Sequence, residues 1–169
     1  MALRLIVQDG DPILKKKCRP VTNFDARLST LLDDMIETLD DAHGYGLAGP
    51  QVGMLRRIFV ALDERDKPED EQAQETYEPG HLEFINPEII AREGDAVGEE
   101  GCLSFPGIGA EVHRPEKVTV RAFDRTGKPF TLTVDGMLAR CVCHEADHLD
   151  GVTIVDVADR IFDQEDEED

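Results

Sequence analysis

The segment from Asp135 to Gly151 places two histidines, His144 and His148, on the apolar stripe of a helix that also carries Met137 and Cys141. Asp135 can cap the N-terminus of that helix and Gly151 can close its C-terminus. Residues four apart lie one above the other on a helix, so both imidazoles face the side that a fold must bury. Buried imidazoles need partners, and a single metal ion satisfies two at once. The run His144-Glu145-Ala146-Asp147-His148 is the pattern H-E-x-x-H, in which two histidines hold an ion and the glutamate beside them works as a base. Taken alone it also fits two histidines making ordinary hydrogen bonds at a helix end. Whatever the fold, it has to close around this helix.

A catalytic tetrahedral site needs a third protein ligand and one open position. No further histidine follows Gly151, where the first acidic residues are Asp156 and Asp159. The upstream candidate is Cys102, within Glu99-Glu100-Gly101-Cys102-Leu103-Ser104. A glycine before it permits close approach, and a thiolate is a strong ligand; the competing reading of Cys102 is a small buried apolar residue. A third stretch, Gly44-Tyr-Gly-Leu-Ala-Gly-Pro-Gln51, contains G-x-G-x-x-G. The dinucleotide fingerprint of that form needs a strand before it and a helix after it, whereas here a helix precedes and a strand follows. No basic residue stands nearby to meet phosphate. The loop instead suits close approach of a peptide backbone, with the Gln51 amide offered to a developing oxyanion.

The rest of the chain predicts an α+β domain. Leu28, Leu31, Leu32, Met35, Ile36 and Leu39 give an amphipathic helix over residues 25–42, ended by Gly44 and Gly46. Strands are expected at Arg56–Leu62 and near Leu82–Ile90. A hairpin is expected from Lys117–Phe123 to Pro129–Val134 across Asp124-Arg-Thr-Gly127. Strands and helices do not alternate strictly, which argues against a parallel βαβ sheet. At 169 residues the chain predicts one domain over residues 1–157, followed by an acidic tail at 158–169 expected to be disordered.

Charge narrows the partners. The net charge of −19 argues against nucleic acid and anionic membranes. Asp63 to Glu83 holds nine acids and two bases, and Asp156 to Asp169 eight acids and one base, so the excess sits in a loop and a tail read as solvated segments. No apolar run approaches the ~20 residues of a membrane span, and Met1-Ala-Leu-Arg4 does not open as a secretory signal. The expected location is the cytoplasm, where the four cysteines stay reduced.

Together G-x-G-L-A-x-P-Q, E-G-C-L-S and H-E-x-D-H, in this order and at these separations, resemble the peptide deformylase family. The resemblance runs from Ile6-Val7-Gln8 through Asp11-Pro-Ile-Leu14 and Pro20-Val21 to Gly151-Val152. It implies antiparallel or mixed sheets around a central helix carrying H-E-x-x-H. It implies metal ligands Cys102, His144 and His148, a catalytic carboxylate at Glu145, and substrate-carbonyl contacts from Gln51 and the backbone N–H of Leu103. The implied activity, in protein biosynthesis, removes the formyl group from the N-terminal formylmethionine of new bacterial proteins. One divalent ion per chain is implied, natively Fe(II), with Zn(II), Ni(II) or Co(II) able to occupy the site.

Substrate peptides and nascent chains are expected to lie extended beside Tyr45 and Gly46 on one side and Gly101 on the other. The methionine pocket is expected around Met137, Cys141 and His144. Arg140 stands where an apolar residue is frequent near the pocket mouth, and is read either as a solvated surface arginine or as a substrate contact. Gly49 stands where alanine is frequent and predicts a looser loop, while Cys143 replaces a frequent glutamine and is read as packing. The acidic tail argues against docking on the ribosome through a basic helix, so contact there is expected to be transient at most. Two other readings share part of the pattern: an H-E-x-x-H protease cutting internal bonds, which predicts neither Cys102 nor the Gln51 loop, and an inactive metal-binding homologue that retains formyl peptides.

Overall fold

A computed structural model describes residues 2–164. The helix α1 (Ala26–Asp41) is capped by Asp25, whose side chain accepts from Leu28 N–H, and its leucine stripe is buried as the periodicity predicts. The chain then makes a short strand β1 (Gly46–Ala48), a 3-10 turn over Gly49–Val52, and β2 (Ile58–Asp63). The acidic loop contains one short helical turn, α2 (Glu71–Gln74), before the long β3 (Gly80–Glu93). Next come β4 (Ala96–Gly101), β5 (Ile108–Arg114), and the expected hairpin β6 (Lys117–Phe123) and β7 (Pro129–Asp135). The H-E-x-x-H helix is α3 (Gly136–Leu149), followed by α4 (Ile154–Val157) and β8 (Arg160–Asp163).

The strands form two antiparallel sheets, one ordered β1-β2-β3-β6-β7 and the other β4-β5-β8. In the first, the alternation of β2 assigns its faces. Ile58 and Val60 pack with Leu28, Leu32, Met35 and Leu39 of α1, whereas Phe59 and Ala61 pack with Ala139, Cys141 and Val142 of α3. The two helices therefore cover opposite faces of one sheet, as period-two side chains require. Phe59 stacks on Phe84 at 4.6 Å between ring centroids, an offset contact that adds about 1 kcal/mol to burial. A third cluster joins Phe105, Ala110 and Val112 of the second sheet region to Leu14 and Ile154. β1 and β4 are each an outer strand of their sheets, so among the described residues each has an edge with no neighbouring strand.

Two local expectations are corrected. Asp135 precedes α3 in an extended conformation, but its side chain makes no capping bond; Gly136 N–H goes to Glu116 O instead. Gly49 is buried, and a Cβ there would lie 2.7 Å from Met54 O and 2.8 Å from Arg56 O. The absent side chain lets the turn seat against those carbonyls. Residues 160–163, expected within a disordered tail, pair with Ile108–Glu111 as β8, because Phe162 has the bare backbone of Gly109 to pack on. Residues 165–169 of the expected tail lie outside the described residues. Cys18 is buried with Leu149 and Cys143, its N–H bonded to Leu149 O, and burial pushes its thiol up to about 11.

Candidate active site and metal centre

The edges of β1 and β4 and one face of α3 enclose a cavity of about 470 Å³. Gly46 of β1, Gly101 of β4, and Met137, Arg140, Cys141, His144 and Glu145 of α3 line it, together with Tyr45, Gln51, Cys102 and Leu103. α3 is held close to β1 by Cys141 Sγ–H donating to Tyr45 O at 3.4 Å. Gly46 makes this approach possible, since a Cβ on it would fall 2.7 Å from Glu145 Oε2 and 2.8 Å from Cys141 Sγ. Met137 is 60% exposed and Tyr45 57% exposed, which puts both at the mouth, while Cys141 and Glu145 are buried.

Cys102, His144 and His148 each bring a ligand atom to one point, with all such atoms within 4.8 Å of one another. Cys102 Sγ and His148 Nε2 stand 3.5 Å apart. A tetrahedral ion with bonds of about 2.3 Å to sulfur and about 2.0 Å to nitrogen needs a separation near this value. His144 Nδ1 is committed to Glu100 Oε1 at 2.9 Å, which turns Nε2 toward Cys102 and Glu145. A carboxylate fixing the remote nitrogen of a histidine is the usual support of a metal ligand. Burial, with the His144 charge adding to it, lowers His148 to about 3, so it remains neutral and able to donate a lone pair. The donor set thus suits a divalent ion, with one position left for water or substrate.

The role of Glu100 is absent from the sequence reading, although the residue stands two before Cys102. It is buried and accepts from Arg114 Nε and NH2, from Arg140 NH1 and from His144. Burial alone would raise its pKa, but hydrogen bonds from His144 and Arg114 win and hold it at about 2. Arg114 also reaches Asp147 Oδ2 at 2.6 Å, tying the second sheet to α3 at a residue that stands between the two histidines. Arg140 is neither a solvated surface residue nor free for a substrate carboxylate. Its guanidinium is occupied by Glu100 Oε2, Val112 O and Ala96 O, and it only borders the cavity. It has room because residue 98 is glycine, where a Cβ would lie 2.8 Å from Arg140 Cζ.

Gln51 is buried with its amide orientation set by its neighbours. Oε1 accepts from Ala48 N–H at 2.9 Å, so Nε2 is turned toward Ser104 Oγ at 3.1 Å and Cys102 Sγ at 3.5 Å. The N–H of Leu103 donates to no group among the described residues. Glu145 Oε2 lies 3.9 Å from His144 Nε2, and Oε1 is buried without a hydrogen-bond partner among the described residues. Such an atom asks for a ligand or water. Burial raises the Glu145 carboxyl to about 7, against the attraction of His144 and with the charge of Glu100 adding to the rise. A carboxyl poised there can both take and give a proton near neutrality. Cys143, next to this set in sequence, faces the core with Phe59 and Val142.

Three comparisons bear on this arrangement. A family model described as polypeptide deformylase matches residues 3–163. The peptide deformylase of Caldanaerobacter subterraneus subsp. tengcongensis is 46% identical over 165 residues, covering 98% of this chain and 95% of that protein. The peptide deformylase of Caldicellulosiruptor bescii is 48% identical over 165 residues, covering 98% and 91%. Among solved structures, the peptide deformylase of Thermotoga maritima superposes with a TM-score of 0.83 at 38% identity, covering 94% of this chain and 99% of that one. That of Legionella pneumophila gives 0.80 at 42% identity, covering 92% and 85%.

Proposed function

The chain belongs to the polypeptide deformylase family, and from that premise we propose how its own residues remove formyl from the N-terminal formylmethionine of newly made proteins. Cys102, His144 and His148 hold one divalent ion. When bound, such an ion supplies Lewis acidity and makes water a stronger acid near neutral pH. Glu145 takes a proton from the attacking water as its oxygen bonds to the formyl carbon. Gln51 Nε2 and Leu103 N–H hold the negative charge that gathers on the formyl oxygen. Glu145 then delivers the proton to the methionine nitrogen as the carbon–nitrogen bond breaks, and the acidic proton of the released formic acid passes to the amine, leaving formate and an N-terminal ammonium.

The peptide lies extended between the open edges at Gly46 and Gly101, where backbone hydrogen bonds tolerate varied residues after methionine. The methionine side chain enters beside Cys141 and His144, with Met137 and Tyr45 over the opening. One thiolate and two imidazoles suit Fe(II) and Zn(II) alike, and we assign Fe(II) as the native ion, with Ni(II) and Co(II) as substitutes. The place of work is the cytoplasm, with at most transient ribosome contact. No helix among the described residues is long and apolar enough to cross a membrane.

The observation that carries this reading is the pinned amide of Gln51 facing Cys102. A protease of the H-E-x-x-H type accounts for the helix but leaves both residues without a task. The test is formate release from formyl-Met-Ala-Ser by protein purified without oxygen and loaded with Fe(II), with the peptide products weighed by mass spectrometry. Loss of formyl alone is expected; cleavage between residues would favour the protease, and intact peptide bound to the protein would favour the inactive homologue.

A further inference from the structure

β8 lies on the far side of β5 from β4, yet the residue that follows it, Gln164, lines the same cavity as Cys102 and Glu145. The reach is possible because β4 and β5 meet here as a pair of glycines, Gly101 opposite Gly109. With no side chain on either, a strip of bare backbone is left for other groups to cover. A Cβ on Gly109 would fall on the Phe162 ring and 3.2 Å from Gln164 Cγ; one on Gly101 would fall 3.2 Å from Gln164 Nε2. Gln164 is anchored through its own N–H to Gly107 O at 3.0 Å, and its side-chain amide makes no hydrogen bond among the described residues.

We propose that the Gln164 side chain, carried to the cavity rim by β8, hydrogen-bonds the backbone of the substrate beyond its formylmethionine and so favours longer formyl peptides over a formyl dipeptide. The proposal rests on the deformylase reading. With the formyl group near Cys102 and Glu145, the rest of the peptide must leave past Gly101. An extended peptide carries an unpaired N–H and C=O at every residue, and a primary amide offers both a donor and an acceptor. A dipeptide ends before it can use such a contact, whereas a tripeptide or tetrapeptide does not.

The experiment measures kcat/KM for formyl-Met-Ala and formyl-Met-Ala-Ser-Ala with the metal-loaded full chain, and compares the ratio of the two in the parent, Gln164→Ala and Gln164→Leu. One net hydrogen bond predicts that the tetrapeptide-to-dipeptide ratio falls about three- to tenfold in both variants, through KM more than kcat. Gln164→Leu keeps the bulk and removes the amide, so a ratio restored by leucine would overturn the hydrogen-bonding role. A ratio unchanged in both variants would overturn the proposal while leaving the activity standing. Absence of formate from either peptide with the parent would overturn the deformylase reading itself, and this assignment with it.

Discussion

At the scale of single residues, the site depends on side chains whose freedom has been taken away. Gln51 is turned by Ala48 N–H, His144 by Glu100, and Glu100 by two arginines. The residues that converge on the cavity were legible in the sequence because H-E-x-x-H, E-G-C-L-S and the Gln51 loop each state a spacing that helix or loop geometry converts into convergence. Glu100 was not, because a glutamate beside a second glutamate reads as surface charge until Arg114 and Arg140 arrive from distant segments. Cys102 offers the sharpest test at this scale. Cys102→Ser replaces a thiolate by a poor ligand, and we expect metal affinity to fall more than about tenfold, measured as metal per chain after dialysis against a weak chelator. A serine variant that keeps one ion per chain would remove Cys102 from the ligand set.

At the scale of elements, α1, β2, β3, the β6–β7 hairpin and α3 could be read from periodicity, because each buries one face against a large neighbour. β4, β5 and β8 could not. Ala96-Val-Gly-Glu-Glu-Gly101 has two glycines and two acids, a composition poor in strand formers, and is held by its register with β5 and by the arginines on Glu100. β8 is four residues long in an acidic stretch, and its pairing depends on Gly109, which no local pattern announces.

The N-terminal segment is attached to α1 in a way that pH should expose. Asp34 accepts from Ala2 N–H at 2.8 Å and from Arg4 Nε at 3.0 Å. The Ala2 hydrogen bond leads in lowering its carboxyl below 3.8, against burial and with help from Arg4. A depressed carboxylate stabilises the fold above its unfolded pKa and loses that contribution as pH falls through the folded value. Asp34→Asn should therefore cost about 1 kcal/mol in urea unfolding at pH 7, and the gap from the parent should close below pH 3.8. A gap that stays constant down to low pH would show that the ionised carboxylate is not what holds the segment.

At the scale of the whole molecule, two antiparallel sheets and two helices bring three distant stretches of sequence to one cavity. The first sheet is clamped between α1 and α3, and its edge strand β1 faces β4 of the second sheet across the candidate ligands Cys102, His144 and His148. The negative charge of −19 does not enter this construction, since the acidic loop carries only the short α2 and the residues lining the cavity are mostly apolar or paired. Motif order let the sequence indicate the family and the α+β class; the approach of β8 and Gln164 to the cavity depends on contacts that no motif encodes. If Glu145 moves the proton in the proposed hydrolysis, its replacement should show in the rate of formate release from formyl-Met-Ala-Ser by Fe(II)-loaded parent and Glu145→Gln, prepared without oxygen and matched for one ion per chain. We expect rapid release by the parent and a loss of about 10²- to 10⁴-fold in the variant; equal rates from the two proteins would rule that role out.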